Sequence, residues 1–345
     1  MELKIEHLHL QFFGHGETLH DVSLRCQEGV SVIYGETGSG KTALLKCVAG
    51  INDYAGDITL DGAPLALGKE GDVGMVFDDL ALFKRRSLYY NLTYPLRLRK
   101  LDKRQWQQTI SPVLGRWGLG KTILDNPTYR ASREVQVRLT LARANLTKRK
   151  VLLLDNPLGG LSPDIRQAVF WELSQYLRHY EGVVLYATDD IDEVRSLQAP
   201  TAVLSGGYLL AYDAPQKLAA VKPSVYVASR LIPFWRVESG VAEGGVVHTD
   251  IGDWRAAYPA SYENKRLLVG FAPADWLVRE TADGGWVIVN TLYADGKTYA
   301  VAANAATEVV LEGAYPIGTT VDLTPDGMAV AFDPTGEWRI GKEGE

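Results

Sequence analysis

The 345-residue chain is 46% hydrophobic and 23% charged, which excludes wholesale disorder and leaves room for two domains of about 150 residues. Lys and Arg number 36 against 42 Asp and Glu, a net charge of −6 that argues against a chain built to coat nucleic acid. Cys26 and Cys47 make neither a disulfide framework nor a zinc spacing, no apolar run approaches the roughly 18 residues of a membrane span, and the start has no apolar signal segment, so the expectation is a cytoplasmic chain that meets a membrane only at its surface or through partners.

In chain order, short and nearly all-apolar runs at 30–34, 73–77, 151–154 and 183–187 read as strands buried on both faces of an α/β sheet. Amphipathic segments lie between them, such as 166–180, where Val169, Phe170, Leu173 and Leu177 share a stripe. From about 80 to 147 no strand-like run of comparable strength occurs, which predicts a helical insertion between two sheet strands. The character changes after about Pro233. Pieces at 244–248, 267–270, 286–289, 307–311, 320–323 and 328–332 are β-prone and separated by Asp-Gly, Gly-Gly and Pro-Asp-Gly turns. Such short, closely spaced strands predict a small all-β barrel.

Gly35-Glu36-Thr37-Gly38-Ser39-Gly40-Lys41-Thr42 fits G-x-x-x-x-G-K-[ST], entered by the run 30–34 and left by a helix over 43–48 that ends near Gly50. Glycines let backbone N–H groups turn inward around phosphates, and the helix N-terminus adds positive potential. Lys41 is placed to reach the β- and γ-phosphates and the Thr42 hydroxyl to reach Mg²⁺. The run 151–154 ends in Asp155, and a carboxylate at a strand end beside such a loop can hold Mg²⁺. The expected cofactors are therefore ATP and Mg²⁺.

These residues resemble the ATP-binding-cassette (ABC) transporter ATPases, and in particular importer subunits with a carboxy-terminal TOBE/OB-like β-barrel. Gly56-Asp57-Ile58-Thr59-Leu60-Asp61-Gly62 is similar to the family's strand and turn after the phosphate loop, and Leu141-Ala142-Arg143-Ala144 to the helix behind its signature motif. Leu204-Ser205-Gly206-Gly207-Tyr208 is similar to the last hairpin of its nucleotide domain, and Leu268-Val269-Gly270-Phe271-Ala272-Pro273 to the barrel of carbohydrate-type importers. The resemblance implies a P-loop α/β nucleotide-binding domain over 1–232, with its helical subdomain near 80–147, followed by the barrel over 233–345. It implies transmembrane permease partners and a peripheral place on the cytoplasmic face of the membrane. By position Phe13 matches the aromatic that stacks on adenine.

The departures from the family pattern are specific. The family's Mg²⁺- and water-contacting glutamine aligns with Asp78, its Leu-Ser-Gly-Gly-Gln signature with Ala131-Ser132-Arg133-Glu134-Val135, and its water-polarising glutamate with Asn156. Its switch histidine aligns with Asp189, and its Ser-Ala-Leu-Asp loop with Gly159-Gly160-Leu161-Ser162. Asn156 removes general-base help, worth about 10²- to 10⁴-fold. Asp189 puts a carboxylate near phosphate, and two unit charges about 4 Å apart repel by roughly 4 kcal/mol at an effective dielectric near 20. Glu134 places a charged side chain where glycine backbone is expected, partly offset by Arg133, itself a cation that can be aimed at a γ-phosphate. Asp78 can still ligate Mg²⁺.

Groups for binding are thus retained and groups for cleavage replaced. The favoured expectation is a catalytically impaired ATP-binding importer subunit in a heterodimer with an active paralogous ATPase, taking up a sugar, polyol or glycerol phosphate. A fully active transport ATPase, with Asp78 or Asp189 activating water, is the alternative. A soluble ATP-dependent regulator is the third reading.

Overall fold

Alternate residues Leu3, Ile5, Leu8 and Leu10 of the first strand are fully or almost fully buried, and the skip between Ile5 and Leu8 marks a bulge at His7, whose φ is +50°. The computed structural model describes residues 1–12, 16–68, 71–100 and 102–340. The chain divides into two units, Met1–Pro215 and Gln216–Glu345. The first carries β1 (Glu2–Gln11), β2 (Glu17–Gln27), β3 (Gly29–Tyr34), α1 (Lys41–Val48), β4 (Ala55–Leu60), β5 (Ala63–Pro64), β6 (Val73–Val76), α2 (Leu88–Leu98), α3 (Lys103–Arg116), α4 (Arg133–Asn145), β7 (Val151–Asp155), α5 (Pro163–Leu177), β8 (Val183–Thr188), α6 (Ile191–Leu197), β9 (Thr201–Ser205) and β10 (Tyr208–Asp213).

The central sheet runs β10-β9-β3-β8-β7-β6 and is parallel except at the β10 edge. Every residue of β7 and β8 is buried, because both faces are covered. Leu152, Leu154, Val184 and Tyr186 pack with the helices α2 to α5. Val151, Leu153, Val183 and Leu185 pack with α1 and with an antiparallel sheet of order β2-β1-β4-β5. Helix α1 ends in a Schellman arrangement: Gly50 N–H donates to Cys47 O and Ile51 N–H to Lys46 O, each at 2.9 Å.

The second unit opens with α7 (Pro215–Val221) and α8 (Val225–Leu231), then β11 (Arg236–Glu243), β12 (Val246–Thr249), β13 (Gly252–Ala256), β14 (Arg266–Phe271), β15 (Trp276–Glu280), β16 (Trp286–Ala294), β17 (Lys297–Ala303), β18 (Glu308–Glu312), β19 (Thr320–Pro325), β20 (Met328–Phe332) and β21 (Arg339–Ile340). The expected boundary at 232/233 falls just past these two helices. They group with the barrel because Val225 N–H donates to Gly336 O at 3.0 Å and Arg339 N–H to Pro223 O at 3.1 Å. The parallel pairs Arg255↔Met328 and Ala256↔Ala329 join β13 to β20 and close β11, β12, β13, β20 and β14 into a five-stranded barrel. A second sheet, β15-β19-β16-β17-β18, is inserted between β14 and β20. Trp254, fully buried, stacks on Phe271 with ring centroids 4.0 Å apart and meets Trp276 edge-on. Among the described residues no helix is long and apolar enough to cross a membrane.

Candidate functional site

Three chain segments meet at the carboxyl edge of the central sheet: the loop after β3, the end of β7 and the turn after β8. Ligand sites of open α/β sheets lie at this edge. Gly35 leaves β3 where no side chain fits, since a Cβ there would stand 2.3 Å from Leu204 O and 2.5 Å from Ser39 Oγ. Ser39 N–H turns back onto Glu36 O at 3.1 Å. Gly40, at φ +105°, precedes α1 with no side-chain cap, so the first amides of the helix stay available to an anion.

Lys41 folds over this loop and donates to Gly35 O at 2.7 Å and Glu36 O at 2.8 Å. Burial lowers its pKa, against the pull of the Asp189 and Asp155 carboxylates. Thr42 Oγ1 donates to Asp155 Oδ1 at 3.0 Å. Asp155 is 3% exposed. Burial pushes its carboxyl up, helped by the Asp78 carboxylate and opposed by the Thr42 hydroxyl and by Lys46 and Lys41.

A cleft of about 510 Å³ opens here. Of the expected residues, Thr37, Gly38, Gly40, Lys41, Thr42, Asp78, Asp155, Asn156 and Asp189 line it. Gly35, Glu36 and Ser39 shape the loop that bounds it. Phe13 lies outside the described residues. Its neighbour Phe12, 43% exposed, lines the cleft. Thr18, Lys46 and Asn52 line it too, and sequence reasoning missed them. Lys46 follows Thr42 by one helical turn, so the i,i+4 spacing was the available signal. Nothing local marks Thr18 or Asn52.

Asn156 sits directly after Asp155 in the left-handed region, at φ +41°, where asparagine is readily tolerated. Its N–H donates to Ala187 O at 3.0 Å, while its Oδ1 is buried without a partner. Asp189 lies one residue past β8, and Thr37 Oγ1 donates to its Oδ2 at 3.4 Å. The donor set fits Mg²⁺: Thr42 supplies a hydroxyl, and Asp155 and Asp78 supply carboxylates. Ser39 Oγ, within the loop, is buried without a hydrogen-bond partner.

Ser132, Arg133 and Glu134 do not line this cleft. Ser132 Oγ caps α4 by accepting from Val135 N–H at 3.3 Å. The expected partial offset of Glu134 by Arg133 is corrected: Arg138, one turn along, donates to Glu134 at 2.9 Å and also pairs with Glu172. Arg133 neither offsets Glu134 nor points outward. Its guanidinium turns back to Gly159 O and Asp78 O. A larger cleft, about 790 Å³, lies between α3, the end of α4 and α5, with Arg116, Lys148 and Trp171 on its wall. Its lining holds no glycine loop, so the phosphate-type chemistry belongs to the first.

The family profile described as ABC transporter matches residues 19–159. The chain is 25% identical over 343 residues to the sn-glycerol-3-phosphate import ATP-binding protein UgpC of Bordetella avium, covering 94% of each chain. It is 33% identical over 195 residues to the tungstate uptake system ATP-binding protein TupC of Peptoclostridium acidaminophilum, covering 56% of this chain and 90% of that one. Its structure is similar to that of cbiO1 from Clostridium perfringens, part of the ABC transporter complex cbiONQ, with a TM-score of 0.56 and 26% identity over 64% of this chain and 91% of that one.

Proposed function

This chain belongs to the ATP-binding proteins of ABC transporters, and we propose that it is an importer subunit that holds Mg-ATP without cleaving it at its own cleft. The backbone from Gly35 to Gly40 and the Lys41 ammonium would hold the phosphates, Lys41 exchanging Gly35 O and Glu36 O for phosphate oxygens. Thr42, Asp155 and Asp78 would hold Mg²⁺, which when bound neutralises phosphate charge. The wall at Phe12 is the proposed adenine side.

One observation carries the reading: the residue after Asp155, at the wall of the cleft, is Asn156, whose amide cannot take a proton from water. Asp189 supports it, because a carboxylate beside Thr37 repels a γ-phosphate. The alternative, an active ATPase using Asp78 or Asp189 to orient water, draws on both carboxylates lining the same cleft.

The nucleotide-binding domain is proposed to end near 232, with a helical subdomain near 80–147 and the barrel over 233–345 as the regulatory domain. In the proposed complex the chain sits peripherally on the cytoplasmic face of the membrane, bound to permease subunits and to a paralogous ATPase that carries the catalytic glutamate. UgpC, similar over both units, supports a small polar solute such as glycerol phosphate, a polyol or a sugar.

The test is ATP titration and phosphate release on the purified chain. Binding that strengthens with Mg²⁺, without turnover, is the expected outcome. Sustained hydrolysis at the rate of an ordinary enzyme selects the alternative.

A further inference from the structure

The first turn of α4 is fastened to the chain's own cleft. Arg133 Nε donates to Gly159 O at 3.0 Å, and its Nη2 donates to the same carbonyl at 2.8 Å and to Asp78 O at 3.0 Å. One planar guanidinium therefore ties together the two loops that present Asp78 and Asn156. Gly159 N–H in turn donates to Asn156 O at 3.0 Å, so the second loop is a closed turn held at its outer end.

The surroundings leave room for this clasp and little else. A Cβ on Gly159 would stand 2.8 Å from both Asn156 Nδ2 and Asp78 Oδ1, and one on Gly160 would stand 3.3 Å from Arg133 Nε. At the far end of α4, Arg143 donates to Leu80 O at 2.8 Å and Ala81 O at 2.9 Å. The 78–81 loop thus hangs from α4 at two points, and Arg133 holds the point nearest the cleft.

We propose that Arg133 is a positioning residue for Mg-ATP on its own chain, holding Asp78 and the Asn156–Gly160 turn at the metal end of the cleft. The inference rests on the reading of Asp78 as a Mg²⁺ oxygen. A ligand loop fixed before binding does not have to be ordered by the metal, so freeing it weakens the metal's share of the affinity. Arg133 donates no hydrogen bond to the phosphate loop, so the metal-free share of ATP affinity is expected to stay as it is. Lysine carries the charge but not the rigid planar fork, so it holds the two carbonyls less firmly.

The experiment titrates the full chain with a fluorescent ATP analogue, in excess Mg²⁺ and in EDTA, for the native protein, Arg133→Ala, Arg133→Lys and Asp78→Ala. Arg133→Ala is expected to lose about tenfold of the affinity in Mg²⁺ while changing less than about twofold in EDTA, with Arg133→Lys in between. Equal losses in both conditions would reduce Arg133 to a folding role and overturn the proposal, as would no loss in either. If Asp78→Ala removes the Mg²⁺ gain and Arg133→Ala does not, the inference fails while the site reading stands. If the native chain shows no Mg²⁺ gain, both fail.

Discussion

Thr42 and Asp155 join the phosphate loop to the end of β7 across the width of one intervening strand, β8, through a 3.0 Å hydroxyl–carboxylate hydrogen bond. The carboxylate so held is nearly inaccessible, and its pKa is raised chiefly by burial. A carboxyl with a raised folded-state pKa binds its proton more tightly folded than unfolded. Its ionisation therefore opposes folding at neutral pH, and that opposition fades as pH falls through the folded pKa. Asp155→Asn is expected to raise the Tm of the nucleotide-free chain near neutral pH, by about 2–4 °C for each kcal/mol relieved, with the gain shrinking on mild acidification. The same variant is expected to lose the Mg²⁺-dependent part of ATP affinity. Thermal unfolding at neutral and mildly acidic pH, beside ATP titrations, checks both; a lowered Tm at neutral pH contradicts the account.

Lys41 rests on two backbone carbonyls, that of exposed Glu36 and that of buried Gly35, and truncating its side chain lets water into the space it leaves beside them. Lys41→Ala is expected to leave Tm nearly unchanged but to remove a charge-assisted contact of about 1.5–3 kcal/mol, or roughly 10- to 100-fold in ATP Kd. Isothermal titration measures it, and unchanged affinity would place the phosphates elsewhere.

Asn156→Glu is expected not to restore turnover in the isolated chain. The Asp189 carboxylate still faces the phosphate side, and defects in one constellation are not additive. The substitution also puts glutamate at φ +41°, at a cost of about 1 kcal/mol in stability. Sustained phosphate release from this single variant, at the rate of an ordinary enzyme, would show that Asp189 is harmless.

Glu193 is 4% exposed and accepts from Tyr186 Oη at 2.9 Å and Thr188 Oγ1 at 2.6 Å, with Arg166 Nε 3.3 Å from its other oxygen. It anchors α6 beneath the turn that carries Asp189. Glu193→Ala strands two buried hydroxyls and a partly buried guanidinium, and is expected to destabilise by about 3 kcal/mol, the low end for breaking a buried pair because Arg166 stays partly solvated. Denaturant unfolding reads this directly; a change below about 1 kcal/mol would mean that water replaces the carboxylate.

In the assembled importer, Asn156→Ala is expected to reduce uptake by less than about tenfold, whereas glutamine in place of the paralogue's catalytic glutamate abolishes it. A functional transporter holding two copies of this chain and no paralogue refutes the asymmetric arrangement.

Much of the site was legible because its parts are short-range. The phosphate loop is contiguous, its flanking strands announce themselves by uninterrupted apolarity, and the strand-end Asp155 followed by Asn156 needs no fold to be noticed. The first β-sheet was not legible, because the bulge at His7 breaks the alternation in β1. Barrel strands such as β11 and β13 mix glycine and charge with only two buried residues each, a pattern shared with loops.

Sequence alone therefore determined the local chemistry: which groups could hold phosphate and Mg²⁺, and that an asparagine follows Asp155. The tertiary structure decided where the long side chains go. Arg133 finds carbonyls 26 and 55 residues away, Glu134 pairs with an Arg138 that it shares with Glu172, and the barrel closes through two residue pairs between β13 and β20. Periodicity and motif spacing describe neighbours along the chain. A guanidinium's choice among backbone carbonyls depends instead on where packing leaves those loops, and no local pattern encodes it.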